Sequence, residues 1–519
     1  MLRTASLGPL LAVASCLPPY QTTSDYCERD SDCNVPGHPE RSFCDVNGEY
    51  QEWAHLCIEP PWDGGVPDPD AAIDAGAECT SSSQCTAPNA PICGAGGTCE
   101  PCAEGETGDD DCAAKNPLFP RCKATGACVE CLGPGDCTAA SEPVCDAASD
   151  ACRECQAHAE CASEVCDLGS GACVDAATIV YVDQASGADG GSCGSQGSPC
   201  ATLGGAQGGL AKVDSTKTLV RVRDGVYGES VAVTDGKSVT LVGAGATVSP
   251  PSSSNTPGLL VTGGSEVTLD GLSLANATGG SNADGVRCSG SSSSVTLIGV
   301  AISGNAASGV QATDCTVVVT GATISGNDAT GVQATSCTLT IARTTISGND
   351  GGGVSIDSCA FTLVNSFIVR NGATGAGGTS FGGVRVWNSA DRSPQLFEFN
   401  TVADNAASSI ADSSGVECAV VSAMVASSNI VYANNGAPAL DTNANCAWAY
   451  SDIQGGQPGT ENLDTNPEFE DPAGGDFHLQ TGSPCQNVAD PDATLDVDFD
   501  GQPRPMGGRR DVGADEVVE

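Results

Sequence analysis

Hydrophobic and polar positions recur along the middle of this chain with a fixed period. Residues 302–323, 324–345 and 346–367 are three consecutive 22-residue units. Ile302, Ile324, Ile346 and Ile368 form one apolar column, and Val310, Val332 and Val354 a second. Val317, Leu339 and Phe361 form a third, and Val319, Ile341 and Leu363 a fourth. The third and fourth columns lie two residues apart, with the more polar Val318, Thr340 and Thr362 between them. Period-2 alternation of this kind predicts a strand with one buried face. Gly, Asn, Asp and Ser separate the strands, as turns require. Helical periodicity is absent from these units.

A 22-residue unit of short strands cannot close its own core. Stacked as rungs of a coil, each strand pairs with its copy in the next rung and the apolar columns merge into one core. Asn305, Asn327, Asn349 and Asn371 share the spacing. Stacked amides hydrogen-bond along such a column, so these four are the expected asparagine ladder. The Ile-x-x-Asn turn followed by Gly-Val and a strand resembles the short repeats of the right-handed parallel β-helix in the pectin-lyase-like superfamily. Looser copies, including Val295/Leu297, Val402–Asn405 and Val431–Asn434, extend the match to roughly ten rungs between about residues 219 and 455. The expected fold class is therefore all-β: a right-handed parallel β-helix preceded by disulfide-rich small repeats.

Both ends of a β-helix need covering. Upstream, Tyr181-Val182-Asp183, Gly187-x-Asp189, Pro199, Thr202-Leu203 and Asp224-Gly225-x-Tyr227 resemble an amino-terminal module of bacterial β-helix proteins. Ala201–Val213 is read there as a short capping helix, and Cys193 and Cys200 as a closed loop. Downstream, Phe477-His478-Leu479, Ser483-Pro484, Asp500-Gly501-x-x-Arg504-Pro505 and Asp511-x-Gly513-Ala514-x-Glu516 resemble the carboxy-terminal region of choice-of-anchor Q surface proteins.

The chain has 30 cysteines. Twenty fall between Cys27 and Cys173, in five groups of four: 27/33/44/57, 79/85/93/99, 102/112/122/128, 131/137/145/152 and 155/161/166/173. Three Cys-x-x-Cys pairs (99/102, 128/131, 152/155) each span a junction between groups, which favours structural disulfides over zinc or redox chemistry. Connectivity is open at this stage. The start, MLRTASLGPLLAVASC, resembles a bacterial lipoprotein signal in which Cys16 is lipidated; an ordinary secretory signal is the alternative. The resulting domain plan is 1–16 signal peptide with lipobox, 17–59 first cysteine-rich unit, 60–78 Pro/Gly/Asp linker and 79–175 four further units. Residues 178–519 form the β-helix, with an N-terminal cap at 178–248 and a C-terminal module at 456–519. The cysteine-rich region reads as a stalk. The expected localisation is the outer membrane or cell surface through a lipid anchor alone, or secretion.

A net charge of −45 argues against nucleic acid as a partner. Polysaccharide and cell-envelope components remain as partner classes. Calcium is the one cofactor the sequence suggests: Asp496, Asp498 and Asp500 begin like a calcium loop, but its twelfth position is Gly507 rather than Glu.

The superfamily resemblance raises polysaccharide lyase or hydrolase activity. Lyases need a Lys or Arg base, and hydrolases need paired carboxylates. The outward columns of the regular rungs offer Gln311/Gln333/Ser355, Thr316/Thr338/Ala360 and Val318/Thr340/Thr362 instead. Charged candidates lie in the irregular rungs beyond: Arg385, Asp391, Arg392 and Glu398, with Arg370 and Asp404 nearby. Cys315, Cys337 and Cys359 form a further column that holds either a thiol ladder or one bridge, and Cys418 and Cys446 are read as a pair across rungs. These features point to a non-catalytic binding or adhesion β-helix. A polysaccharide-degrading enzyme and a structural envelope protein are the alternatives.

Overall fold

The computed structural model describes residues 43–45, 56–58, 79–372, 381–389, 392–407, 413–419, 424–436 and 446–518. Cys16, Asp391 and the linker at 60–78 lie outside them. The chain divides into two compact units, residues 1–132 and 133–519.

In the second unit the chain winds through three parallel sheets in repeating order. Sheet A has eleven strands, sheet B ten and sheet C eight among the described residues. One full rung runs through Ser294–Ile298 in sheet A, Ala301–Ser303 in sheet B and Val310–Thr313 in sheet C. Register is kept residue for residue: Val317 pairs with Leu339, Ile324 with Ile346 and Val332 with Val354. The four apolar columns all point into one continuous core. The fold is the parallel β-helix that the period implies.

Glycines at 285, 309, 331, 353 and 383 precede the sheet C strands. A Cβ on Gly309 would lie 2.5 Å from Ile324 Cγ2 and 2.7 Å from the Gly331 carbonyl oxygen. The column is glycine because the next rung leaves no room there. The asparagine ladder forms as well. Asn305 Nδ2 donates to Asn327 Oδ1 at 2.9 Å, Asn327 to Asn349 at 2.8 Å and Asn349 to Asn371 at 2.9 Å. It continues to Asn405 and Asn434 across steps of 34 and 29 residues. A second ladder, Asn400 to Asn429 at 3.1 Å, flanked by Ser366 and Ser451, has no counterpart in the sequence reading.

The ends differ from the expectation in two respects. Ala201–Val213 is not a helix; only Gly209–Lys212 makes a 3₁₀ turn. Its glycines are pressed against the first rung, where a Cβ on Gly209 would meet Val182 Cγ2 at 2.3 Å. Leu203 and Leu210 fill the open core end there. Downstream, only part of the C-terminal module covers the last rung, where Leu463 bridges to Asp452. Most of it lies along the side of sheet B. Outward positions of that sheet are Thr323, Ser325, Thr345 and Ser347 in the regular rungs. They become Phe367, Val369, Ala403 and Ile430 where Phe469, Phe477, Leu479, Val512 and Ala514 pack on them.

Among the described residues the disulfides fix the connectivity of three cysteine-rich groups; Cys27 and Cys33 of the first group lie outside them. Cys79–Cys93 and Cys85–Cys99, Cys102–Cys122 and Cys112–Cys128, and Cys155–Cys166 and Cys161–Cys173 each join first to third and second to fourth. Each described group also carries a two-stranded hairpin. Such units lack a core of their own, and crosslinks stabilise them by ~2–4 kcal/mol each. The last group does not stand clear of the coil. Glu164 accepts from Arg223 at 2.6 and 3.1 Å and lies 3.5 Å from Arg221. Val165 packs with Ile179, Tyr181 and Val242, and Tyr181 donates to the Ser163 carbonyl at 2.8 Å.

Candidate functional site

The outward face of sheet C carries two side-chain columns. One runs Arg287, Gln311, Gln333, Ser355, Arg385, Glu417; the other Ser289, Thr313, Thr335, Asp357, Trp387, Ala419. Neighbouring rungs lie ~4.8 Å apart, so the columns repeat like rungs of a ladder along the coil. Between Arg287 and Arg385 the first column is uncharged amide and hydroxyl, and the second carries one carboxylate, Asp357. The two cations of the face are matched locally. Arg287 pairs with Asp284 at 2.5 Å, and Arg385 Nε donates to Glu417 Oε2 at 2.7 Å. Burial raises the Asp284 carboxyl above its usual range, against the pull of Arg287.

At the irregular end the alternation Val384-Arg385-Val386-Trp387 sends both valines inward and places Arg385 and Trp387 side by side outside. The Arg385 guanidinium lies 4.9 Å from the Phe381 ring and 4.6 Å from the Trp387 ring. Trp387 remains 37% exposed, a large aromatic surface beside hydrogen-bonding groups. Asn388 donates to Asp357 at 3.2 Å and ties this rung to the one before.

The structure does not gather the sequence candidates into one cluster. Arg385 is on sheet C. Glu398 is on sheet A, where burial and then the neighbouring Asp490 raise its pKa. Arg392 lies in a loop whose carbonyl accepts from Gln395. Arg370 and Asp404, 3.2 Å apart, belong to the seam with the C-terminal module. A cleft of about 470 Å³ opens there beside Tyr432, Phe469 and Phe477, and Arg370 holds the hairpin turn through the Ala473 carbonyl at 2.6 Å.

The three aspartates read as a calcium loop point in different directions. Asp498 is fully buried and accepts from the N–H groups of Gln502 and Glu516 at 2.7 and 3.1 Å. Asp500 accepts from His478 at 3.1 Å, and Asp496 lies exposed, 3.8 Å from Arg510. Their oxygens serve turns and ion pairs rather than one centre. Cys193–Cys200 and Cys418–Cys446 are bridged. Sequence reasoning missed Phe381, Trp387 and Glu417. The alternation at 384–387 carried the signal for Trp387, but the 32-residue step to Glu417 hid its pairing.

Comparison with known proteins places this geometry. Residues 251–395 match the family model described as a right handed beta helix region. The coil is right-handed. Residues 67–179, the cysteine-rich part, match a second model described as a family of unknown function. A solved structure of pectate lyase Pel9A aligns at 14% identity and a TM-score of 0.39, covering 65% of this chain and 96% of that one. No curated protein matches the chain.

Proposed function

We propose that this chain is an exported bacterial surface protein, anchored by a lipid on Cys16, whose sheet C face binds a neutral polysaccharide without cleaving it. The observation that carries the reading is the uncharged run Gln311–Gln333–Ser355, with the exposed ring of Trp387 one rung further on in the neighbouring column. Amides and hydroxyls at a rung repeat suit a chain of sugar hydroxyls, and an indole face suits the C–H face of a pyranose. Both arginines of the face carry a carboxylate partner, so an anionic polymer gains little there.

Arg385, the residue type a lyase would use as base, is engaged as a positioning group instead: its Nε donates to Glu417 Oε2 at 2.7 Å and its guanidinium lies against the Phe381 and Trp387 rings. The fold it shares with polysaccharide-degrading enzymes keeps the enzymatic alternative open to test, since fold does not fix function. Asp357 and Glu417, two rungs apart, are the carboxylates that alternative would use. The full chain is to be incubated with neutral and uronate polysaccharides, with and without calcium, and scored for retention and for shortened products. Retention on neutral polymers, lost in Trp387→Ala and Gln333→Ala, supports the proposal. Shortened products lost in Glu417→Gln or Asp357→Asn refute it. Mass spectrometry of the mature N-terminus tests Cys16: a diacylglyceryl mass on that residue supports the anchor, and cleavage elsewhere refutes it.

A further inference from the structure

The corner where sheet C turns into sheet A carries Cys315, Cys337 and Cys359 on successive rungs. Cys315 is already bridged to Cys288, one rung back. The Sγ atoms of Cys337 and Cys359 stand 2.7 Å apart, with the two residues 8% and 0% exposed. The Cys337 N–H also donates to Cys359 Sγ at 3.1 Å. Adjacent rungs set the two Cα atoms ~4.8 Å apart, inside the range a disulfide spans. No backbone movement is needed to join these sulfurs.

We propose that Cys337 and Cys359 are joined by a disulfide in the exported protein. It is a cross-rung staple like Cys288–Cys315 and Cys418–Cys446. The three lie along the stretch of coil that carries the sheet C face. The new one closes the two rungs bearing Gln333, Thr335, Ser355 and Asp357, and so fixes the register of the middle of that face.

The chemistry is thiol–disulfide exchange with a disulfide donor of the oxidising compartment. The thiolate of one of the two cysteines attacks one donor sulfur, forming a mixed disulfide and releasing the other as a thiolate. The other cysteine then loses its proton and displaces the remaining donor sulfur. Two protons and two electrons leave the pair, and the donor ends as two thiols. Both residues are buried in the finished coil, so exchange happens before these rungs close. Cys485 is the internal control. It is buried with Asp452 at 3.3 Å and is unpaired in the structure.

The test uses the full chain, exported and purified without reductant, then unfolded in the presence of an alkylating reagent. Trypsin cuts at Arg343, between the two cysteines. The expected result is a peptide ending at Arg343 crosslinked to one beginning at Thr344, fragmentation that locates the bond at Cys337–Cys359, and alkylation of Cys485. In Cys337→Ala, Cys359 becomes alkylated. The inference rests on export, and the controls separate the two. Alkylation of Cys337 and Cys359 while Cys418–Cys446 stays bridged overturns the pairing. Alkylation of all four overturns the oxidised state altogether, export included. A Cys315–Cys337 crosslink also overturns it.

Discussion

Removing one amide from the ladder tests whether it holds the coil together. Asn327 is 1% exposed. Its Oδ1 accepts from Asn305 N at 3.2 Å and Asn305 Nδ2 at 2.9 Å. Its Nδ2 donates to Asn349 Oδ1 at 2.8 Å and to the Ile302 carbonyl at 3.3 Å. Asn327→Ala removes these bonds and leaves the Asn305 donors in a dry site. Each bond contributes about 1 kcal/mol net, and each orphaned buried group costs about 1–3 kcal/mol. Partial relaxation included, the expected loss is ~3–5 kcal/mol, confined by nearest-neighbour coupling to the adjoining rungs. Urea unfolding followed by circular dichroism gives the total, and hydrogen exchange at 301–335 shows whether it is local. Asn327→Asp sets an oxygen against Asn349 Oδ1 and is expected to be no better than alanine near neutral pH. Gln333→Ala, on the solvent side, is the control and stays within about 0.5 kcal/mol. A loss below ~1 kcal/mol for Asn327→Ala would refute the ladder as a stabilising element.

Other consequences can be checked separately. Gly309→Ala drives a Cβ to 2.5 Å from Ile324 Cγ2 and is expected to cost about 1–3 kcal/mol in the same urea assay. Burial raises the Asp511 carboxyl to about 6 in the folded C-terminal module. A folded pKa above the unfolded one makes the module more stable as pH falls from above 6 toward 4, by up to ~3 kcal/mol. Thermal melts at pH 5 and pH 8 should show that gain, and Asp511→Asn should flatten it; a melt that weakens on acidification over this window contradicts the assignment. Glu164→Ala removes the partner of Arg223 and Arg221, so hydrogen exchange at 179–182 should quicken with the central rungs unchanged.

The regular rungs were legible because apolar, glycine and asparagine columns all repeat at 22 residues, and each column has one place in a stacked coil. Legibility failed where the step changed. Asn371 to Asn405 spans 34 residues and Asn405 to Asn434 spans 29, yet the amides still stack, because the sheet B strands just before them keep their register from rung to rung. That altered step also concealed Glu417 behind Arg385. The lateral seat of the C-terminal module was written in Phe367 and Val369, which replace Thr and Ser on the outside of sheet B. Inward and outward apolar residues look alike until the register is known. Asp498 shows a further limit. Its spacing suggested a metal ligand, whereas two backbone N–H groups claim its oxygens, a use that only the fold reveals. Disulfide connectivity was closed to sequence for a combinatorial reason, since four cysteines allow three pairings.

The most direct test of the central claim is equilibrium binding of the full chain to a soluble neutral polysaccharide, followed by Trp387 fluorescence against a Trp387→Phe background, with polymer length measured before and after. The account predicts saturable binding that shifts the Trp387 signal, weakens at least tenfold in Gln333→Ala, and leaves polymer length unchanged. Shortened polymer, or binding indifferent to both residues, would contradict it.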